Sequence, residues 1–280
     1  MKILAIIVTF NGMRWVERCL GSLRSSSLAL DAFVLDNGST DGTPDYIRTH
    51  FPEVHLVESA ENLGFARGNN AGLRYALEQG YDFVYLLNQD AWILPDTLGK
   101  LVRAAEETPR AGVVSPVQKA ADGRLDVQFS KRVPRGEGVV EVPFVMAAHW
   151  LITRQCLETV GLFAPIFPFY GEDDNFCGRA RYHGFKVLVC MDAEAVHDRA
   201  GREETLEKII WRNYRMASLV KLCDLSRPLA LQRAFVLLYT VVKSCRYRSS
   251  LPWEHYRELR SMLPEIRQMR ALFRGTGSFL

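Results

Sequence analysis

Phe83-Val84-Tyr85-Leu86-Leu87-Asn88-Gln89-Asp90 runs from five apolar residues straight into two amides and an acid. So short a run, bounded by polar residues, reads as a strand buried on both faces. Its abrupt end puts Asp90 where the chain leaves the sheet. Upstream, Ile3 to Thr9 reads as another such strand. Ala32-Phe33-Val34-Leu35 is a third, stopped by Asp36 and the turn formers Asn37 to Gly42. Trp15, Val16, Cys19, Leu20 and Leu23 recur at helical spacing between the first two. A short strand over Val54 to Val57 and helices near Phe65–Gln79 and Pro95–Glu107 continue the alternation. The pattern predicts an α/β fold with a mainly parallel sheet flanked by helices.

Open α/β sheets bind ligands outside the carboxyl ends of their strands. Asp36, Asp90 and the run Glu172-Asp173-Asp174 all fall there. Acids so placed can grip a nucleotide, hold a metal ion and remove a proton, which suggests group transfer from an activated nucleotide donor.

The pattern loosens between Gly112 and Pro143, as for an insertion at the edge of the site. Helices over Thr153–Val160 and Asp173–His183 and a strand over Lys186–Cys190 follow. Beyond Thr205 the chain reads as helix only, near 206–222, 228–244 and 252–273. The expected division is residues 1–204 as the catalytic domain and 205–280 as a C-terminal helical extension.

A chain of 280 residues, 48% hydrophobic and 24% charged, has the composition of an ordinary globular protein. Its net charge of +3 is unevenly spread. Residues 202–280 hold fifteen Lys and Arg against seven Asp and Glu, and the remainder is acidic. A basic tail on an acidic body suits an anionic membrane surface better than nucleic acid; a solvated basic face, a helical cap or a dimer interface would also explain it. The six cysteines are scattered without a C-x-x-C pair, which points to a reducing compartment and no structural zinc. No apolar stretch approaches the roughly 20 residues of a membrane span. The expectation is a cytoplasmic protein, peripheral at the inner face of the cell membrane.

Each motif has a plain structural reading beside the chemical one. Thr9-Phe10-Asn11 could meet a nucleobase or form a strand-to-helix turn. Asp36 could accept the imide N–H of uracil or thymine, or serve a turn. Residues 61–72 hold Asn62, Gly64, Arg67, Gly68, Asn69 and Asn70. That surplus of glycine and amide favours ligand contact, with Gly64 and Gly68 allowing close approach and Arg67 pairing with phosphate. Asp90, beside Asn88, could coordinate a hard cation on a donor diphosphate, or cap a helix. Three acids at 172–174 exceed what a helix N-terminus needs, and a catalytic base would explain the surplus. His197 is either a further metal ligand or a structural histidine.

In order, these motifs resemble those of a family-2 glycosyltransferase, an inverting enzyme of the GT-A fold, in its rhamnosyltransferase-like branch. The resemblance covers about Met1 to Asp198. It rests on Ile7-Val8-Thr9-Phe10-Asn11, Val34 to Thr43, Asn62 to Asn70, Leu86 to Asp90 and Gly171 to Asp174, completed by Arg179, Gly184-Phe185-Lys186 and Val196-His197. It implies that Thr9, Phe10, Asn11, Asp36, Asn62, Gly64, Arg67, Asn70 and Asn88 contact a UDP- or dTDP-sugar. It further implies that Asp90 and His197 bind Mg²⁺ or Mn²⁺, and that Asp173 is the general base with Glu172 beside it. Asn88 stands where the stricter Asp-x-Asp motif has a first carboxylate. The acceptor would be a hydroxyl of a glycan or lipid-linked sugar, in bacterial surface polysaccharide synthesis.

A dinucleotide-dependent dehydrogenase would show G-x-G-x-x-G after the first strand, and none is present. A nucleotidyltransferase would want a Gly-rich, Arg-bearing loop there, which Thr9-Phe10-Asn11-Gly12 does not supply. A non-catalytic nucleotide-sugar-binding protein of the same fold is the remaining alternative.

Overall fold

The computed structural model describes residues 1–130, 136–199 and 205–280. Its strands are β1 (Ile3–Thr9), β2 (Asp31–Asp36), β3 (His55–Glu58), β4 (Phe83–Asn88), β5 (Ala91–Ile93), β6 (Ala111–Lys119), β7 (Val139–Glu141), β8 (His149–Thr153) and β9 (Lys186–His197). Among them run helices α1 (Val16–Arg24), α2 (Thr43–His50), α3 (Gly64–Glu78), α4 (Thr97–Glu107), α5 (Val127–Ser130), α6 (Arg154–Val160) and α7 (Glu172–Tyr182). The C-terminal part comprises α8 (Leu206–Ile210), a π-helical turn (Trp211–Met216), α9 (Ala217–Cys223), α10 (Leu229–Tyr247), α11 (Leu251–Ser261) and α12 (Leu263–Leu272).

One open sheet of order β3-β2-β1-β4-β8-β6-β9-β5, with β7 also on β9, forms the middle layer. Its central strands are apolar on both faces because helices cover both. Leu4 and Ile6 of β1, with Val84 and Leu86 of β4, join α3, α6 and α7 in one core. Ile3, Ala5 and Ile7, with Tyr85 and Leu87, join α1 and α4 in the other. Alternate residues on opposite faces are the period of two expected of a strand. The α3 helix lies close on β1: a Cβ at Gly68 would meet Val8 at 2.9 Å, and one at Gly72 would meet Ile6 at 2.6 Å. Gly68, read above as room for a ligand, is instead room for the sheet.

The expected parallel arrangement holds from β3 to β4, and the other half of the sheet is mixed. β1, β2, β3 and β4 run parallel, as does β6 with β9. β8 enters antiparallel between β4 and β6, and β5 and β7 lie antiparallel on β9. The segment expected to be an edge insertion holds β6, which is buried and internal. Its residues 131–135 lie outside the described residues. β9 runs seven residues past its expected end at Cys190, and the helix expected over 252–273 breaks into α11 and α12 at Met262.

The division expected at 204/205 adjoins residues 200–204, which also lie outside the described residues. The helices beyond it share a core with the body. Ala164, Ile166 and Phe167 pack with Met216, Leu219, Leu222, Val236, Leu259, Ile266 and Phe273. Arg179, on α7, is buried and donates to the carbonyls of Val160 and Leu162, each at 2.7 Å, and to Asn175 Oδ1 at 3.0 Å. Burial pulls its pKa down to about 9.

Candidate active site

The parallel strands β1, β2 and β4 end side by side: Thr9 pairs with Asp36 and Val8 with Asn88. Asp36 is 1% exposed and already engaged. Its Oδ2 accepts from Thr9 Oγ1 (2.8 Å) and Ser39 Oγ (2.6 Å), and its Oδ1 from the Ser39 amide (2.8 Å). Three of a carboxylate's roughly four acceptor positions are thus taken. Asn11 holds the same loop from the other side. It sits at φ +48°, its amide donates to Ser39 Oγ (2.8 Å), and its Oδ1 accepts from the Thr40 amide (2.9 Å). Asparagine is among the few residues that tolerate this left-handed geometry.

Asn37, 3% exposed, joins β2 to the start of α3: its Oδ1 accepts from the Leu63 amide (3.2 Å) and its Nδ2 donates to the Gly64 carbonyl (3.5 Å). The Gly64 amide donates to Asn62 Oδ1 (2.9 Å), closing a tight side-chain turn. Arg67 is exposed, 3.7 Å from Glu61. Asn70 is tied inward, both ends of its amide bonding the main chain of Phe163 (2.9 and 3.0 Å). Gln89 ties β4 to β1 by bracketing Phe10: the Phe10 amide donates to Gln89 Oε1 (2.8 Å), and Gln89 Nε2 donates to the Phe10 carbonyl (3.2 Å).

Asp90 and His197 meet across the β5–β9 pairing, Oδ1 to Nε2 at 3.3 Å, both largely buried. The Asp198 amide donates to the Asp90 carbonyl (2.8 Å), and Trp15 Nε1 donates to Asp198 Oδ2 (3.2 Å). Beneath them lies His149. Burial, reinforced by neighbouring His197, pulls its pKa down to about 3, so the ring is neutral. The tautomer that satisfies both neighbours donates from Nε2 to the Val196 carbonyl (3.0 Å) and accepts the Tyr85 hydroxyl at Nδ1 (2.7 Å).

The acidic start of α7 reaches this edge through Gly64. A Cβ there would lie 3.4 Å from the Pro168 carbonyl and 3.6 Å from the Phe169 ring, just ahead of Gly171-Glu172-Asp173. Gly171 itself takes φ +90°, a turn glycine makes without strain. The start of α3, tied to the loop after β2, and the segment leading into the acidic turn are therefore in one neighbourhood.

Residues 4–160, over half the chain, match the family model described as Glycosyl transferase family 2. The chain belongs to that family. An undecaprenyl-phosphate mannosyltransferase of Micrococcus luteus is 34% identical over 203 residues, 71% of this chain and 73% of the relative. An N-acetylglucosaminyl-diphospho-decaprenol L-rhamnosyltransferase of Mycobacterium tuberculosis is 26% identical over 231 residues, 70% of this chain and 75% of the relative. The crystal structure of S. aureus TarS in complex with UDP-GlcNAc aligns with a TM-score of 0.61 at 19% identity, over 84% of this chain and 70% of that one. That last likeness bears on the fold alone, and it agrees with the expected GT-A architecture.

This glycosyltransferase distinguishes its neighbouring acids by environment. Glu172 is 7% exposed and its Oε2 has no hydrogen-bond partner among the described residues. Burial first, then the nearby Asp173 and Asp174, pushes its pKa up to about 8. Asp173 is only half buried, and its Oδ1 accepts from the Asp174 amide (2.8 Å). An unfolded chain would release the Glu172 proton near 4.5, whereas the fold keeps it to about 8. Between those pH values the folded state binds more protons, so stability is full below the lower value and is lost as pH rises through the upper one. Glu172→Gln should remove that slope. Its melting temperature, compared with the parent's, should gain steadily from pH 5 to pH 8; parallel profiles would show that Glu172 is not held protonated.

For a divalent ion, Asp90 and His197 offer a carboxylate oxygen and an imidazole nitrogen in contact; the carboxylate suits either Mg²⁺ or Mn²⁺, and the imidazole favours Mn²⁺ over the harder Mg²⁺. Among the described residues no group of three or more His, Cys, Asp and Glu forms a full cage. Such a pair fits an ion completed by donor phosphates and water, as Mg²⁺ sites commonly are.

Asn37, Ser39, Gln89 and His149 shape the site and were not singled out from sequence. Asn37 and Ser39 lie in the Val34–Thr43 motif and Gln89 in Leu86–Asp90, and in neither does the sequence give these residues a role of their own. His149 belongs to β8, and the sequence predicts no element over residues 144–152.

Proposed function

We propose that this glycosyltransferase moves a sugar from a UDP- or dTDP-linked donor to a hydroxyl of a lipid-linked or glycan acceptor, inverting the anomeric centre. The observation that carries this reading is the contact of Gly64 with Pro168 and Phe169, which brings the approach to α7 against the start of α3, itself tied to the end of β2 through Asn37. Polyprenyl carriers in the names of both sequence relatives, and UDP-GlcNAc in TarS, support the acceptor and donor classes.

In this reading Thr9, Asn11 and the remaining acceptor position of Asp36 receive the base and ribose, with Phe10, Asn62, Gly64, Arg67 and Asn88 lining the donor. Asn70 supports that wall through Phe163. Asp173 takes the proton from the acceptor hydroxyl as its oxygen bonds to the anomeric carbon. The bond from that carbon to the phosphate oxygen breaks, and its electron pair leaves with the nucleoside diphosphate. Asp90 and His197 would hold the divalent ion, whose chemistry when bound is to neutralise charge on the leaving diphosphate. Glu172, protonated at neutral pH, adds no negative charge beside Asp173 and does not compete with it as a base.

Incubation with UDP- and dTDP-sugars and a polyprenyl phosphate or diphospho-sugar should release nucleoside diphosphate. The product's anomeric configuration, read by NMR, should be opposite to the donor's. Donor bound but left intact with every acceptor would make the chain a nucleotide-sugar-binding protein. A retained configuration would exclude single displacement.

A further inference from the structure

Helix α10 is built inside out. Its buried residues are Gln232, Val236 and Thr240, four apart, and two of the three are polar. Gln232 Nε2 donates to Asp224 Oδ2 (3.1 Å), and Thr240 shares a hydrogen bond with the Tyr214 hydroxyl (2.6 Å). Outward stand Leu231, Phe235, Leu238 and Val242, exposed by 60, 45, 64 and 52%, with Leu237 and Val241 also exposed. A surface helix ordinarily turns such residues inward. An apolar face left outward in this way marks a contact surface.

Charge identifies what covers it. Residues 225–253 contain five Arg and Lys and no Asp or Glu. Arg233, Lys243 and Arg246 lie on α10, and Arg227 and Arg248 flank it. A second copy docked by two-fold symmetry would set this patch against itself, cation against cation, which is costly. An anionic lipid surface answers both the apolar stripe and the charges. Trp253, 38% exposed, lies just beyond the helix, and tryptophan favours the headgroup level. Among the described residues no helix is long and apolar enough to cross a bilayer, which leaves α10 to lie in the interfacial plane.

We infer that α10 docks the enzyme on a membrane containing anionic lipid, with Leu231, Phe235, Leu238 and Val242 in the acyl boundary and Arg246 with the flanking Arg227 and Arg248 at the headgroups. The inference uses no residue of the active site and so stands apart from the proposed reaction. The two are nonetheless joined structurally. Tyr214, bonded to Thr240, shares the π-helical turn with Trp211, whose ring meets that of Tyr170 edge-on at 6.2 Å, one residue before Gly171.

The test is flotation of the full chain with phosphatidylcholine vesicles, with and without phosphatidylglycerol. The parent should float only with phosphatidylglycerol. Replacing Arg227, Arg246 and Arg248 together by Gln should lower partitioning on the order of a hundredfold, and high salt should imitate that loss. The exposed pair Leu238→Asp and Val242→Asp should abolish flotation while keeping the parent's melting temperature. Failure of the parent to float, or equal flotation of the Asp variant, would overturn the inference. So would a concentration-dependent dimer in light scattering that the Asp variant dissolves, since that assigns the face to a second copy. An enzyme that floats yet transfers no sugar would refute the proposed reaction and leave the docking intact.

Discussion

Asp173→Asn should lower kcat by about 10²–10⁴-fold, the usual contribution of a general base, while the donor Kd stays within about twofold of the parent's. The substitution keeps size and shape but replaces the proton-accepting carboxylate, with its charge, by a neutral amide. Asn retains an oxygen for the hydrogen bond that Asp173 Oδ1 accepts from the Asp174 amide, so the first turn of α7 should keep its geometry. Donor binding, proposed above for the ends of β1, β2 and β4, should not register the change. A loss confined to kcat is the signature of an interaction made in the transition state. Single-turnover kinetics with calorimetry of donor binding separates the two quantities. Transfer at near-parent rate would move the base elsewhere, with Asp174 next to examine. Glu172 is the weaker substitute, because burial holds its proton to about 8.

Gly161→Ala should cost about 3 kcal/mol or more of folding stability. Gly161 closes α6 at φ +81° and ψ −154°, a region reserved in practice for glycine, and occupying it with a side chain costs on the order of 1–3 kcal/mol. Space adds a second cost: the new Cβ would fall 2.0 Å from the Ser278 carbonyl oxygen and 2.4 Å from its nitrogen. Neither backbone can readily yield. The Leu162 amide donates to the Ser278 carbonyl and the Gly277 amide to the Thr159 carbonyl, each at 2.8 Å. Arg179 grips Val160 and Leu162 from the other side. Urea denaturation should show a lower midpoint with little change in slope. A midpoint matching the parent's would mean that residues 277–279 do not pack against α6.

Much of the half of the sheet built from β1 to β4 was legible. The β1 and β4 runs are apolar at every position because helices cover both faces, and continuous apolar runs ending in polar residues need no partner to be seen. Asp36, Asp90 and the acids of α7 stood out because each interrupts such a run or exceeds the needs of a turn. The mixed half of the sheet was not legible. His149-Trp150-Leu151-Ile152-Thr153 is a strand because β4 and β6 offer it edges, and those edges lie far away in sequence. The polar stretch Asp192 to Glu194 looked like a strand's end, yet β9 continues through it, with a register shift against β6 between Pro116 and Val117.

Alone, the amino-acid order determined the strands β1 to β4, which residues sit at their ends and which acids are surplus, since these follow from local periodicity and the chemistry of neighbouring residues. Tertiary structure decided that His197 meets Asp90, that Gly64 meets Phe169, that Asn70 and Gly68 face the core, and that α10 turns its apolar side outward. Each of these depends on which distant surface a side chain meets. Hydrophobic burial is non-directional, so a sequence can show that a residue should be covered without showing by what.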